Sequence, residues 1–428
     1  MISRRKIYQF FLTISLILIK FDYETIAAAS SGNSFAKDRK VTFKVIPSRL
    51  PDTSKVYITG NHAQLGDWNP GKVPLIKNTE GSWSKTFLIE DGTHLEYKIT
   101  RGMWQNETVN KYGMVPPNSI LEVENDTLII IKVDNWRDSD SLRSAIKPIG
   151  KEAYKAIIQF FQYDRGIPLD ARVVATEDFP DFVREKIAFN GARGNRVPGY
   201  LGIPKKGSPP YPCVLLMHSG VMEGKEIWWD EKLGYWERLV TKPLLSAGFA
   251  VLTLDGQSHG ERSIHNDFVA GTTTLFQRYW IARAVDMLME STLDYRRAID
   301  YLATRSKFDT TRIGALGWSM GGMMTFYLTA VEPRIKASIP CTVALNIYGS
   351  LLPDVIAPWH YARGIGNRPV LMMMSRHDPF YTVEEAQQLF NLISGPTKEL
   401  ALYDVDGHYL SEDYVPKAVE WFQKYLKK

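Results

Sequence analysis

Three side chains have the types and the spacing for nucleophilic acyl transfer. Ser319 lies in Gly317-Trp318-Ser319-Met320-Gly321, a G-x-S-x-G that follows the apolar run 312–318 (RIGALGW) and opens a helical pattern over 321–331. On such a strand–turn–helix passage the glycines leave room for a tight turn. The first amides of the helix then face the negative charge that develops on an acyl oxygen. A serine hydroxyl at its ordinary pKa is a poor nucleophile and needs a base. His408, in Asp-Gly-His-Tyr after the run 399–405, is placed to take the serine proton and return it to the leaving group. Asp378, in Arg-His-Asp-Pro after the run 369–375, is placed to hold the imidazole tautomer and to stabilise its cation. His259 also follows a strand-like run but precedes the serine. His377 is expected to face solvent, and Asp404 and Asp406 compete weakly with Asp378 for the acid role. The oxyanion would be met by the amide of Met320 and by that of Gly220 or Val221, in the segment His218-Ser219-Gly220-Val221. The His218 side chain is expected only to pack that loop.

One way to bring such residues together is a sheet of strands alternating with helices, and from residue 150 onward the sequence has that alternation. The segments REKIAFNG and PGYLGIPK read as an antiparallel pair. CVLLMH (213–218), AVLTLD (250–255), RIGALGW, KASIPCT (336–342), PVLMMMS (369–375) and ELALYDV (399–405) read as buried strands. Helical patterns are expected over 234–247, 271–305, 321–331, 382–394 and 415–427. Apolar strands alternating with helices imply a doubly wound α/β sheet, which brings the strand ends and their loops to one edge. The stretches 222–245, 261–295 and 343–368 would lie above that edge. Their Trp228, Trp229, Tyr279, Trp280 and Trp359 either pack a cap or stack on substrate.

Residues 38–134 follow a different grammar. VTFKVI, KVYITG, SWSKTFLI, LEYKIT and TLIIIKV are short alternating runs, punctuated by turn residues such as Asn69-Pro70-Gly71 and Asp91-Gly92. That pattern predicts an all-β, immunoglobulin-like sandwich. The polar stretch 135–149 reads as a linker, and residues 150–428 as the second domain. At the start, Arg4-Arg5-Lys6, an apolar run over 8–19 and Ala27-Ala28-Ala29 compose an export signal over 1–29. The apolar run is shorter than the ~20 residues that span a bilayer, so no membrane span is expected once the signal is removed. The chain is therefore expected to be secreted or periplasmic.

A net charge of +5 over 428 residues, without basic runs interleaved with aromatics, gives no ground for nucleic-acid binding. The 44% hydrophobic and 23% charged composition excludes a disordered chain. The two cysteines, Cys213 and Cys341, fall on different strands and are expected to be free thiols. No metal-ligand spacing of Cys or His is visible, and no cofactor is expected.

Residues 150–428 resemble the α/β-hydrolases of the dienelactone-hydrolase, acetyl-xylan-esterase and prolyl-oligopeptidase-like group. The segments PCVLLMHSG, VLTLDGQSHGER, GWSMGG and SRHDP carry the resemblance. The order Ser319, Asp378, His408 is the one this fold requires. The resemblance implies ester hydrolysis through an acyl-serine, or less often peptide hydrolysis. Dienelactone hydrolases carry cysteine at the elbow, and Ser319 here favours ester substrates. VYITGNHAQLGDWNP (56–70) and LEYKITRGMW (95–104) resemble the family 20 starch-binding modules. That resemblance implies that Trp68 and Trp104 form an α-glucan platform and that Lys98 bonds sugar hydroxyls; Asn106 would add a polar contact. The second glucan site of the family, built on tyrosines, is not evident. Three readings follow: an exported carbohydrate esterase acting on a small or polymeric ester, a prolyl-oligopeptidase-like exopeptidase, and a non-catalytic α-glucan-binding protein.

Overall fold

A computed structural model describes residues 37–427, apart from 49, 51–52, 112, 114, 140–144, 267–274, 276–279 and 346–352. The expected export segment and Tyr279 lie outside the described residues. Among the described residues no helix is long and apolar enough to cross a membrane.

The N-terminal domain is a β-sandwich. Strands β1 (Asp38–Ile46), β2 (Tyr57–Gly60), β3 (Val73–Pro74), β4 (Ile76–Lys77), β5 (Trp83–Glu90), β6 (His94–Thr100), β7 (Thr108–Val109), β8 (Ser119–Glu122) and β9 (Thr127–Lys132) build it. Eight of them form two four-stranded sheets, ordered β4-β5-β1-β9 and β3-β2-β6-β8, while β7 belongs to a separate two-stranded pair. Alternate residues of β1, Val41, Phe43 and Val45, point inward. The Phe43 ring packs edge-on to Phe87 and Tyr97, with centroids 5.9 and 4.8 Å away. The expected linker starts inside this domain. Strand β10 (Asn135–Trp136) pairs antiparallel with β7, and Trp136 is buried in the sandwich core. Two paired residues flanked by charges are too short to show a period.

The C-terminal domain carries strands β11 (Arg172–Asp178), β12 (Phe182–Asn190), β13 (Arg196–Pro204), β14 (Tyr211–Met217), β15 (Ala250–Leu254), β16 (Phe308–Trp318), β17 (Ile335–Cys341), β18 (Val370–Ser375) and β19 (Lys398–Tyr403). One sheet holds them in the order β11-β12-β13-β15-β14-β16-β17-β18-β19. It is parallel from β15 to β19 and antiparallel from β11 to β15. Helices α1 (Lys151–Ile157), α2 (Thr241–Ser246), α3 (Ile281–Ala303), α4 (Met320–Val331), α5 (Ala362–Ile365), α6 (Val383–Asn391) and α7 (Tyr414–Leu426) surround it. Successive residues of β14 alternate between two cores. Cys213, Leu215 and Met217 meet α3 and α4, while Val214 and Leu216 meet the side of α2 and α7. Burial on both faces is why β14 reads as an unbroken apolar run.

Several elements differ from expectation, three of them near the sheet of the C-terminal domain. Pro243 fits a helix only in its first turn, so α2 starts at Thr241. The preceding segment forms 3-10 turns, Gly224–Trp228, Glu231–Leu233 and Trp236–Val240. Strand β11 was not expected. It lies at the sheet edge with every residue exposed, so no alternation marks it. Helix α1 was not expected either, and it buries no residue completely. Cys213 and Cys341 are buried free thiols on β14 and β17, with β16 between them, and burial raises both thiol pKa values.

Candidate active site

Ser319 occupies the turn between β16 and α4 with φ 54° and ψ −109°, a conformation that non-glycine residues adopt only under constraint. Its N–H donates to Cys341 O on β17 (3.0 Å), and its carbonyl accepts the Met323 N–H (3.0 Å). The flanking glycines are sterically required. A Cβ at Gly317 would lie 2.2 Å from Gly321 O, and one at Gly321 would lie 2.1 Å from Met217 O and 2.8 Å from His218 O. The same close approach brings the end of β14, and the loop after it, against the start of α4.

Asp378 and His408 meet beyond the ends of β18 and β19. The His408 Nδ1–H donates to Asp378 Oδ2 at 2.6 Å, and Asp378 Oδ1 accepts the Phe380 N–H at 2.8 Å. The carboxylate is fully buried, whereas the imidazole keeps about a fifth of its surface exposed, 21%. With Nδ1 held by the carboxylate, Nε2 is the free basic nitrogen. It is buried and takes no hydrogen bond among the described residues. Ser319 and His408 are therefore not hydrogen-bonded to each other in this structure. The Tyr381 hydroxyl accepts the Ser375 N–H (2.9 Å), and burial together with Asp378 suppresses its ionisation.

The rival groups have other employment. His218 Nε2 accepts the Gly256 N–H (2.8 Å), so its Nδ1–H donates to Ser219 O (2.6 Å). His259 lies beside it, with ring centroids 5.0 Å apart. Burial lowers His218 to about 4 and His259 to about 3, so both are neutral near pH 7. His377 is half exposed and pairs with the exposed Asp404 at 2.9 Å. Gly220 and Val221 are partly buried in the loop that follows β14, and Met320 is the first residue of α4.

One site residue was not legible in the sequence. Glu237, in the turn Trp236–Val240, is buried and accepts the Ser219 hydroxyl at 2.7 Å. Burial raises its carboxyl above the usual range, with the Ser219 bond and the nearby His408 opposing. Glu237 thus fixes Ser219, inside the proposed oxyanion loop. Beside it Trp236, 40% exposed, stacks on Tyr409, the neighbour of His408, at 5.7 Å and 16°. Of the cap aromatics, Trp228 and Trp359 are buried in the core, and Trp229 Nε1 is spent on Thr253 Oγ1 (2.9 Å). Trp280, at the N-terminus of α3, is only partly buried.

On the sandwich, Trp68 and Trp104 come together as a partly exposed pair, with centroids 6.4 Å apart and planes at 36°. A turn with positive φ at Asp67 and Trp68 presents the first ring. Lys98 and Asn106 are occupied inside the domain. Lys98 Nζ donates to Glu107 Oε2 (3.2 Å) and Pro116 O (2.8 Å). Asn106 is buried, and its Oδ1 accepts the N–H groups of Arg101 and Met103, holding the loop that carries Trp104.

Comparison with known proteins finds two separate family matches along the chain. Residues 38–126 match the starch binding domain family, and residues 181–348 match the acetyl xylan esterase (AXE1) family. The chain is 27% identical to the Bacillus subtilis protein named "Putative hydrolase YtaP" over 285 residues, 60% of this chain and 93% of that one. It is 32% identical to an amylopullulanase of Thermoanaerobacter thermohydrosulfuricus over 131 residues, 27% of this chain but 9% of that much longer one. An acetyl xylan esterase structure from Paenibacillus sp. R4 aligns over 67% of this chain and 98% of its own, with 19% identity and a TM-score of 0.49. The chain thus joins an N-terminal domain like the starch-binding domains to an α/β-hydrolase domain like the acetyl xylan esterases and dienelactone hydrolases.

Proposed function

We propose that this chain is an exported serine esterase that removes an acyl group from a carbohydrate, with Ser319, His408 and Asp378 as its triad. The observation that carries the reading is the Asp378–His408 pair, whose Nε2 is left free at the sheet edge where the strained Ser319 elbow also lies. Ser319 Oγ attacks the acyl carbonyl carbon while His408 Nε2 takes its proton, and Asp378 stabilises the imidazolium. The amides of Met320 and of Gly220 or Val221 meet the oxyanion. The carbonyl re-forms as the bond to the sugar oxygen breaks, and that oxygen leaves with the proton from His408. Water, deprotonated by His408, then releases the acid from Ser319.

A carbohydrate as the alcohol is supported by the two family matches and by two aromatic pairs. Trp236 and Tyr409 stand beside His408, and Trp68 and Trp104 stand on the sandwich. Such faces suit the apolar C–H faces of sugars. In this reading the sandwich pair binds α-glucan. An exopeptidase would need a carboxylate to pair with the peptide amine, and the buried Glu237 already accepts the Ser219 hydroxyl.

Labelling with a fluorophosphonate, followed by acetate release from acetylated xylan and acetylated starch, tests the proposal. Wild type is expected to label and turn over, and Ser319→Ala to do neither. A folded wild type that does not label would sink the triad and leave the glucan-binding reading.

A further inference from the structure

The sandwich and the catalytic histidine are joined by an unbroken set of contacts. Arg137 directly follows β10. Its N–H donates to Glu107 O (3.0 Å), and its Nη1 donates to Glu107 Oε1 (2.7 Å). Glu107 is buried, and its other oxygen holds Lys98. The guanidinium so fixed lies over the ring of Phe380, 4.7 Å from the centroid, across the boundary between the domains. The same ring meets the His408 imidazole edge-on, with centroids 4.6 Å apart and planes at 82°. The Phe380 backbone N–H is bound by Asp378, the residue that orients His408.

We infer that Arg137, supplied by the sandwich, is a positioning residue for the esterase reaction, acting on His408 through Phe380; the inference rests on the triad reading above. The physical argument is one of restraint. Asp378 fixes one nitrogen of the imidazole but leaves the ring free to tilt about that bond. The Phe380 ring blocks that tilt only if it is itself held. A phenyl ring has no polar handle, and a cation over its face is the strongest directional contact open to it. Arg137 can supply that contact because Glu107 and β10 anchor it to a rigid domain. The sandwich therefore completes the active site in addition to any glucan it binds. A module that only tethers the enzyme to polymer would not alter the hydrolysis of a small soluble ester.

The test is steady-state kinetics of the full chain on p-nitrophenyl acetate, with melting temperature recorded for each protein. Arg137→Ala is expected to lower kcat about fivefold to tenfold with KM within a factor of two, since a tilted imidazole slows proton transfer rather than binding. Arg137→Lys, which keeps a cation over the ring, is expected to recover at least half of wild-type kcat. Lys132→Ala, which removes a cation from the exposed side of β9, is expected to match wild type. Phe380→Leu leaves the Arg137–Glu107 pair intact and is expected to reproduce the kcat loss; it carries the test if Arg137→Ala does not fold. Wild-type kcat in both Arg137→Ala and Phe380→Leu overturns the inference and leaves the esterase reading standing. Turnover by wild type that Ser319→Ala does not abolish removes the esterase reading, and this inference with it.

Discussion

Replacing Gly321 by alanine sets two opposed effects against each other. In a helix, alanine is favoured over glycine by about 1 kcal/mol, and Gly321 is the second residue of α4. The added Cβ, however, would stand 2.1 Å from Met217 O, 2.6 Å from Met217 C and 2.8 Å from His218 O. Comfortable contacts to carbon begin at about 3.5 Å, so a gap of about 1.4 Å must open at Met217 O. All three atoms are backbone, at the end of β14 and the start of the proposed oxyanion loop, so no rotamer change relieves them. Overpacking of this kind costs about 1–3 kcal/mol, which exceeds the helical gain and lowers the melting temperature by a few degrees. The larger effect falls on rate. The displacement separates the elbow from the loop that supplies the second oxyanion donor, and a shift of 1 Å costs about a hundredfold. The assay is the rate of fluorophosphonate labelling at Ser319, with thermal unfolding in parallel. Gly150→Ala, whose Cβ meets nothing within 4 Å, is the control. Labelling of Gly321→Ala at the wild-type rate would refute the proposed juxtaposition of elbow and loop.

Asp378→Asn is expected to keep the fold and lower kcat by about 10⁴-fold, because the amide no longer enforces the Nδ1–H tautomer; a loss under tenfold in ester turnover would remove Asp378 from the triad. Acid is expected to destabilise the domain through His218 and His259. Their folded values of about 4 and about 3 lie below the unfolded value of about 6.5, so the unfolded chain binds protons first as pH falls. Their contribution is complete above pH 6.5 and lost progressively below it, by about 2 kcal/mol for each histidine at pH 5. Glu237 and Asp294, raised by burial, act in the opposite direction. The measurement is therefore the difference in urea stability, between pH 7 and pH 5, of wild type and the His218→Gln/His259→Gln variant; equal losses in both would count against buried neutral histidines. Trp104→Ala is expected to weaken β-cyclodextrin binding about tenfold in calorimetry, the loss of one stacked face, and unchanged affinity would move the glucan site elsewhere.

The legible part of the site is the part in which chemistry follows from chain order and strand ends. Ser319, Asp378 and His408 each follow an apolar run, and a doubly wound sheet brings such positions to one edge, so their neighbourhood is implied by the alternation itself. Trp68 and Trp104 were named through the resemblance to starch-binding modules, and the structure brings their rings within 6.4 Å of each other. Lys98 and Asn106 show where that reasoning stops. A lysine on a strand looks available for sugar until Glu107, across a short loop, is seen to claim it. Asn106 looks like a surface amide until its oxygen is seen to cap the loop backbone. Glu237 was hidden because it lies in 3-10 turns, which have no period to read. Arg137 was hidden because its partner ring belongs to the other domain, 243 positions along the chain, and polarity alone made its surroundings look like a linker.

The division of labour at Asp378 follows from how its two oxygens are used. Oδ2 is spent on His408, while Oδ1 is spent on the backbone of Phe380 two residues on. A carboxylate bound only to the imidazole could swing with it, because one hydrogen bond defines a distance and not an orientation. Bound also to its own backbone turn, and fully buried, the carboxylate keeps a fixed plane, which fixes the place of Nδ1 and leaves the tilt of the imidazole to its packing on Phe380. In the proposed triad the turn after β18 therefore sets both the acid, Asp378, and the ring of Phe380 that packs on the base, His408. Variants in that turn are for this reason expected to lower kcat without weakening substrate binding, whereas variants at Trp236 or Tyr409, which flank His408 but hold neither of its nitrogens, are expected to act on KM.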